Sequence, residues 1–321
     1  MSKPNFQTAA VIGTGMMGPG IAVTLAIGGV RTTILSRSTE GAAQGLDRAR
    51  TQLELLAANG LATEEQARWA GENLTAGQQS DAIIKAADIV IESAPERLDF
   101  KQTLFAYLDE IAKPHAILAS NTSGISITAI AERCRRPERV MTTHFWNPPH
   151  LMPLVEIVKG EKTSSDLAVA VRNLLATCGK VPVIVKKDRP GQLGNRLQMA
   201  LVREAAYIVQ EGIADAEEVD LAAKLGFGLR LPVYGILEHQ DAVGLDLGIS
   251  VVEYVTRDLY NEPRAPDYMR NLVAGGNLGA KTGKGFYDWS KKDIQAVKAL
   301  RDEFILNFVS SRFAKKAAGH S

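Results

Sequence analysis

Cysteine is nearly absent from this chain: Cys134 and Cys178 are the two among 321 residues. No CxxC pair and no HExxH run occurs, so nothing points to a disulfide framework or a metal site. Idle thiols in a reducing, cytoplasmic setting are the expectation. An excess of either charge is missing too, since 37 Lys and Arg stand against 36 Asp and Glu, a formal net charge of +1. That balance excludes a general attraction to nucleic acid or to an anionic membrane surface. The apolar runs are strand-sized, and none reaches the length that spans a bilayer. "MSKPNFQTAA" lacks a signal-peptide layout, and "AAGHS" matches no targeting tripeptide. Internal repeats and low-complexity segments are also lacking. Apolar residues are plentiful at 45 %, enough in a chain of this length for a sizeable core and two domains.

Short apolar runs alternate with helical stretches up to about residue 185. The runs lie at 9–12, 32–35, 89–92, 116–119, 140–143, 154–158 and 181–185. Helical patterns fill about 16–28, 40–58, 96–112, 125–133 and 165–177. Such alternation predicts an α/β, Rossmann-type doubly wound and mostly parallel sheet. "ADIVIES" is β-branched on both faces, as a strand covered on both sides should be. The polar, Pro-Gly punctuated link "KKDRPGQLGNR" marks a boundary, placing a dinucleotide-binding domain at 1–188 and an all-α domain at 189–321. The second part reads as helices at 193–212, 216–225 and 243–260, with no strand pairs. A final amphipathic stretch at about 291–315 sets Val297, Leu300, Phe304, Ile305 and Phe308 on one face.

"VIGTGMMG" follows the first apolar run directly and opens a helix. Gly13, Gly15 and Gly18 then form the G-x-G-x-x-G turn of dinucleotide binding. The first permits the turn, the second admits a pyrophosphate, and the third lets helix and strand pack closely. Met16 and Met17 lie inside that turn. The helix N-terminus offers N–H groups and a positive dipole end to phosphate. An acid at the end of the second strand would hold the ribose hydroxyls of NAD and repel a 2′-phosphate. Here "TTILSRS" supplies Ser36 and Arg37 instead. The guanidinium is a planar, permanent cation suited to phosphate, which favours NADP(H) over NAD(H). Arg37 lying along the adenine face would suit either cofactor.

Three more stretches fall at strand ends, where ligands of open parallel sheets sit: "ASNTSGISIT", "THFWNPPHLMPLVEIV" and "RPGQLGNR". His144 follows the run 140–143 and so points into that crevice. Glu156 lies within the apolar run 154–158, where a carboxylate is costly unless paired. An imidazole is its natural partner, and a carboxylate-oriented histidine is a usual general base near neutral pH.

These residues carry a resemblance. "GTGMMGPGIA", "ADIVIESAPE…K", "SNTSG", "HFWNPPHLMPLVEIV", "PGQLGNR", "AVGLD" and "GAKTGKGFYDW" together resemble the L-3-hydroxyacyl-CoA dehydrogenase family, which includes gulonate and carnitine dehydrogenases. The likeness runs from about residue 8 to 289. It implies a Rossmann domain joined to a helical dimerisation domain, hence a homodimer. It puts the base histidine on His144, its orienting glutamate on Glu156, and the residues at the substrate oxygen on Ser123 and Asn195, with Asn147 close by. Glu96 and Lys101 match positions near the nicotinamide ribose and the substrate entrance, and Asn121 is counted with the cofactor site.

Departures from the family pattern bear on the substrate. Ser36 replaces the acid, Gly124 a hydroxyl, and "GQLG" the bulky apolar residues common before the asparagine. Gly194 is expected to widen the pocket. Arg230, in "LRLPVYGILEHQD", is a candidate for a substrate carboxylate or an ordinary ion pair with Glu238 or Asp241. Trp146 either lines the pocket or simply packs. The expected reaction is hydride transfer between NAD(P) and the 3-hydroxy or 3-oxo group of an L-3-hydroxyacyl-CoA. The alternatives are a small free hydroxy acid, gulonate- or carnitine-like, and a dinucleotide-binding protein without turnover.

Overall fold

The structure, a computed structural model, describes residues 6–317, with side chains to 311. The terminal segments 1–5 and 318–321, read above for targeting signals, lie outside them. The chain forms two compact units. One runs up to Asn195 and resumes at Ala299, and the other is Arg196–Lys298. The units divide a few residues past the expected 188/189 link, and the chain from Ala299 on, most of the terminal helix, groups with the first unit. Both features have a packing cause. The turn before Asn195 is hydrogen-bonded to the sheet, and Ile305 and Leu306 of the terminal helix pack on the first unit's core.

The first unit carries eight strands: β1 (Thr8–Ile12), β2 (Arg31–Ser36), β3 (Leu74–Gln78), β4 (Ile89–Glu92), β5 (Ile117–Ser120), β6 (Val140–Phe145), β7 (Leu154–Lys159) and β8 (Val181–Val185). Their order is β3-β2-β1-β4-β5-β6-β7-β8, parallel except for the antiparallel pair β6 and β7. Its helices are α1 (Gly18–Ile27), α2 (Thr39–Ala58), α3 (Glu64–Asn73), α4 (Asp81–Ala86), α5 (Leu98–Ile111), α6 (Ile127–Ile130) and α7 (Ser165–Thr177). Seven strands were expected. The eighth, β3, reads "LTAGQ", has no β-branched run, and pairs with β2 alone, so its sequence signal is weak. Helices α3 and α4 beside it were not foreseen either.

Alternation along the strands builds two cores. Ala9, Val11, Ile34, Ile89, Ile91 and Ile157 face one cluster, joined by residues of α1, α2 and α7. Ala10, Ile12, Leu35, Val90 and Leu118 face the other, joined by Phe105 and Leu108 of α5 and by Ile127 and Ile130 of α6. Apolar strands covered on both faces are what a parallel sheet requires. Strand order reverses about β1, which has β2 on one side and β4 on the other, so a crevice opens beyond their carboxyl ends.

The second unit consists of α8 (Gly194–Gln210, starting at the boundary), α9 (Ala216–Leu225), α10 (Phe227–Arg230), α11 (Ile236–Val243), α12 (Leu245–Val255) and α13 (Asp267–Ala274). The glycine-rich loop after α13 adds isolated bridges between Gly279, Lys284 and Asp288. The last helix is α14 (Ile294–Ala317). Its inner face differs from expectation. Ile305, Leu306 and Val309 pack inward, whereas Leu300 and Phe304 are each 67 % exposed.

Two carboxylates of the first unit are held by cations and backbone donors. Arg139, just before β6, places Nη2 2.7 Å from Oδ1 of Asp109 on α5, and the Arg135 and Arg136 amides donate to Oδ2. Burial alone would raise the Asp109 carboxyl, but these donors outweigh it and hold it below the ordinary value. Asp88 behaves likewise: burial raises it, while Lys113 and the Gln7 and Thr8 donors bring the net shift down. A depressed folded-state value means the stabilisation is complete above the unfolded value and lost as pH falls through the folded one. The melting temperature should therefore fall steadily below about pH 4 as these carboxylates take up protons. Thermal unfolding followed across pH 2.5–7 checks this, and a midpoint unchanged down to pH 3 contradicts it.

Candidate active site

The glycine turn sits at the crevice. Gly13 leaves β1 with φ +117°, and a Cβ there would lie 2.3 Å from the Ser93 carbonyl oxygen. At Gly15 a Cβ would meet nothing within 4 Å, which leaves room for a phosphate to approach the backbone. Met17 at the N-cap of α1 makes no side-chain cap, so the first N–H groups of that ten-residue helix have no capping side chain. Open space beside an uncapped helix start fits a pyrophosphate. Met16 is exposed, while Met17 packs on the first core. Ser36 ends β2 and Arg37 is exposed; Ser38 caps α2 by accepting the Gly41 N–H.

His144 lies inside β6 rather than past its end, because pairing with β7 carries the strand on to Phe145. The antiparallel register sets His144 directly opposite Glu156. Directly opposed residues project on one face of the sheet, within side-chain reach. His144 Nδ1 lies 2.6 Å from Glu156 Oε2, with both residues buried. Trp146 Nε1 donates to the same Oε2 at 3.2 Å. The backbone N–H groups of Leu193 and Gly194 donate to Oε1 at 3.1 and 2.8 Å. Burial pushes the Glu156 carboxyl up, but the bond from His144 and the Gly194 and Leu193 amides prevail, and it is held below the ordinary range. A carboxylate so held accepts a hydrogen bond from Nδ1–H of the imidazole. Nε2 is then the nitrogen with a free lone pair.

The "SNTSG" loop is fastened from several sides. Asn121 Oδ1 accepts the Phe145 N–H at 2.8 Å, tying the end of β5 to β6 beside His144. Glu96 Oε1 accepts from the Thr122 hydroxyl and from the Ser123 and Gly124 amides. Asn195 Nδ2 donates to the Ser123 carbonyl oxygen at 2.8 Å, so these two predicted substrate residues meet. Gln192, at φ 56°, donates to the Thr122 carbonyl oxygen. Asn147 is exposed and precedes a cis proline.

Lys101 is 1 % exposed and gripped by Glu92 at 2.7 and 2.8 Å, with Glu96 3.4 Å away. Two carboxylates hold its ammonium inside, where it anchors Glu96. One expectation is corrected. The space at Gly194 is not empty: a Cβ there would lie 2.4 Å from Trp146 Cζ2, so the indole fills it. Arg230 lies in the other unit, exposed at the end of α10, and among the described residues no ion pair joins it to Glu238 or Asp241.

Sequence reasoning missed Glu92, which is fully buried at the end of β4 and also accepts the Ser120 hydroxyl. The signal was present: like Glu156, it is a carboxylate in an apolar strand, with a lysine nine residues on. Among the described residues no group of three or more His, Cys, Asp or Glu is placed to hold a metal, and no helix is long and apolar enough to cross a membrane.

Comparison with known proteins follows the same lines. The profile of the 3-hydroxyacyl-CoA dehydrogenase NAD binding domain matches residues 8–189, and that of the family's C-terminal domain matches 191–289. A probable 3-hydroxybutyryl-CoA dehydrogenase of Bacillus subtilis is 38 % identical, over 88 % of this chain and 97 % of its own. The 5-formyl-3-hydroxy-2-methylpyridine 4-carboxylate 5-dehydrogenase of Mesorhizobium japonicum is 34 % identical, over 92 % of this chain and 94 % of its own. A crystal structure of an enzyme of that name, described as an NAD+ dependent dismutase, superposes with a TM-score of 0.88 at 31 % identity, over 95 % of this chain and 97 % of the other. A glycine turn that fits a dinucleotide, a buried histidine–glutamate pair and two family profiles in tandem lead to one conclusion: the chain belongs to the 3-hydroxyacyl-CoA dehydrogenase family and is a nicotinamide-dependent dehydrogenase.

Proposed function

We propose that the protein interconverts the 3-hydroxy and 3-oxo groups of an L-3-hydroxyacyl-CoA, with His144 as general base in oxidation and general acid in reduction. The observation that carries this is the buried 2.6 Å contact between His144 and Glu156, opposite each other at the crevice end of the sheet. A bound nicotinamide supplies the hydride acceptor or donor. In oxidation, Nε2 of His144 takes the hydroxyl proton as the C3 hydrogen departs with its electron pair. Glu156 steadies the imidazolium that results. Ser123 and Asn195 are assigned to the substrate oxygen, stabilising the charge that develops there.

A second reading is a small carboxylate-bearing substrate, with Arg230 as its cation. Its support is the pyridine-carboxylate dehydrogenase, which is similar along nearly the whole chain. For the cofactor, the exposed Arg37 between Ser36 and Ser38 favours NADP(H). A panel of 3-oxoacyl-CoA esters and free oxo or hydroxy acids, each run with NADPH and NADH, tests all three assignments. Turnover of the esters with an NADPH preference of about tenfold, the size of one charge-assisted phosphate contact, is the expected result. Turnover of free acids alone moves the substrate to the second reading, and a clear NADH preference ends the NADP(H) assignment.

A homodimer through the helical unit is supported by its bare apolar side chains: Leu229, Leu237 and Tyr254 are 69, 78 and 76 % exposed. A monomer in sedimentation equilibrium at micromolar concentration would end that proposal. A cytoplasmic setting suits the two thiols, which burial pushes up to about 11 at Cys134 and about 12 at Cys178. Recovery of the protein from an oxidising compartment on cell fractionation would contradict it.

A further inference from the structure

Trp146 stands two residues beyond His144 and points its indole N–H at Glu156 Oε2, the oxygen that His144 also holds. We infer that Trp146 is a positioning residue of the proton relay, and that position 194 is glycine because the indole ring occupies the space a side chain would need. The inference rests on the acid–base assignment of His144.

Glu156 accepts four donors, two on each oxygen. The Leu193 and Gly194 amides fix Oε1, and the imidazole and indole N–H groups fix Oε2. Without the indole, Oε2 would be directed by the imidazole alone, the group it is meant to orient. The ring also flanks the imidazole, with centroids 5.3 Å apart and planes tilted by 54°. That contact restricts the swing of His144 in the direction of the indole.

Gly194 locks the arrangement from the other side. A Cβ there would stand 2.4 Å from Cζ2 and 3.2 Å from Cη2 of Trp146. The backbone at 194 cannot retreat without giving up its 2.8 Å bond to Glu156. The ring cannot retreat without giving up its bond to the same carboxylate. Indole, glycine and carboxylate thus form a closed set in which each fixes the other two. This accounts for the small residue before Asn195, which otherwise stands as an unexplained departure.

The chemical consequence has a definite sign. An N–H donor on Oε2 draws off part of the charge that would otherwise bind the imidazolium. Removing that donor strengthens the carboxylate's hold on the protonated ring, so the ring keeps its proton to higher pH. The groups bonded to Glu156 are His144 on β6, Trp146 after it, and the two amides of the turn before Asn195; among the described residues no other charged side chain is bonded to it.

The test compares Trp146→Phe, Gly194→Ala and the double variant with the parent, in the oxidative direction. Far-UV circular dichroism and cofactor titration establish that each is folded. In Trp146→Phe the acid limb of kcat should move up by about 0.5–1 pH unit while cofactor affinity is unchanged. Gly194→Ala displaces the ring without altering its N–H, and should move the limb the same way and lower kcat by about tenfold or more. In the Trp146→Phe background, where a smaller ring leaves the space free, adding Gly194→Ala should cost less than about twofold. A limb that stays in place in either folded single variant overturns the inference, as does an alanine cost of equal size in both backgrounds. His144→Gln separates this outcome from failure of the underlying reading. If that variant turns over like the parent, the acid–base assignment falls. If it is inactive while Trp146→Phe matches the parent throughout, the role of the indole alone falls.

Discussion

His144→Gln should lower kcat by about 10³-fold or more and leave the dissociation constant of the cofactor within about twofold of the parent. The chemical step needs a group that takes a proton as hydride departs. Glutamine matches the imidazole in polarity but not in basicity. General acid–base catalysis by one positioned side chain contributes about 10²–10⁴-fold, and an oriented, buried histidine belongs at the upper end. The residual rate would come from binding and from donors at the substrate oxygen. Cofactor binding should survive because its cradle is built elsewhere: Gly13, Gly15 and the start of α1 belong to β1 and its helix, not to β6. Steady-state kinetics with a cofactor fluorescence titration check both halves. Loss of binding in step with activity would mean that the residue holds the fold rather than the proton.

Glu156→Gln has the second largest expected effect, on two observables at once. The carboxylate accepts four donors: imidazole and indole N–H at Oε2, two backbone amides at Oε1. A glutamine amide has one oxygen and one NH₂ group, so either orientation sets donor against donor. With the NH₂ toward His144, the imidazole must shift its proton to Nε2 and loses the lone pair that receives the substrate proton. With the NH₂ toward the turn, two buried amides lose their acceptor. Oriented-histidine systems that lose the carboxylate in this way drop by about 10³–10⁴-fold in kcat, and that range is expected here. Stability should fall by about 2–3 kcal/mol, since buried donors left without acceptors cost about 1–3 kcal/mol each. Chemical denaturation beside kinetics measures both. A variant as stable as the parent would show that water can enter and replace the lost acceptor.

The sheet was legible because its strands announce themselves as β-branched runs buried on both faces, as in 89–92 and 140–143. The His144–Glu156 pair was legible for a chemical reason: a carboxylate in an apolar strand demands a partner, and few types suit it. Strand β3 escaped because an edge strand with one neighbour needs little side-chain pattern to form. The inward place of Lys101 escaped because it depends on Glu92, which lies on a different element of the fold. Gly194 was misread for a related reason. A missing side chain does not say whether the space it leaves is empty or filled, and here Trp146, 48 positions earlier, fills it. The course of α14 escaped because periodicity names a helix face but not the surface that face meets.

The central claim is that Nε2 of His144, steadied by Glu156, exchanges a proton with the oxygen of the reacting carbon. A crystal structure of the ternary complex with oxidised cofactor and a non-reacting 3-oxo ester measures it directly. The expected result is the 3-oxo oxygen within about 2.6–3.2 Å of Nε2, with the reacting carbon facing the nicotinamide. An oxygen bound well away from Nε2, with no water between them, would contradict it.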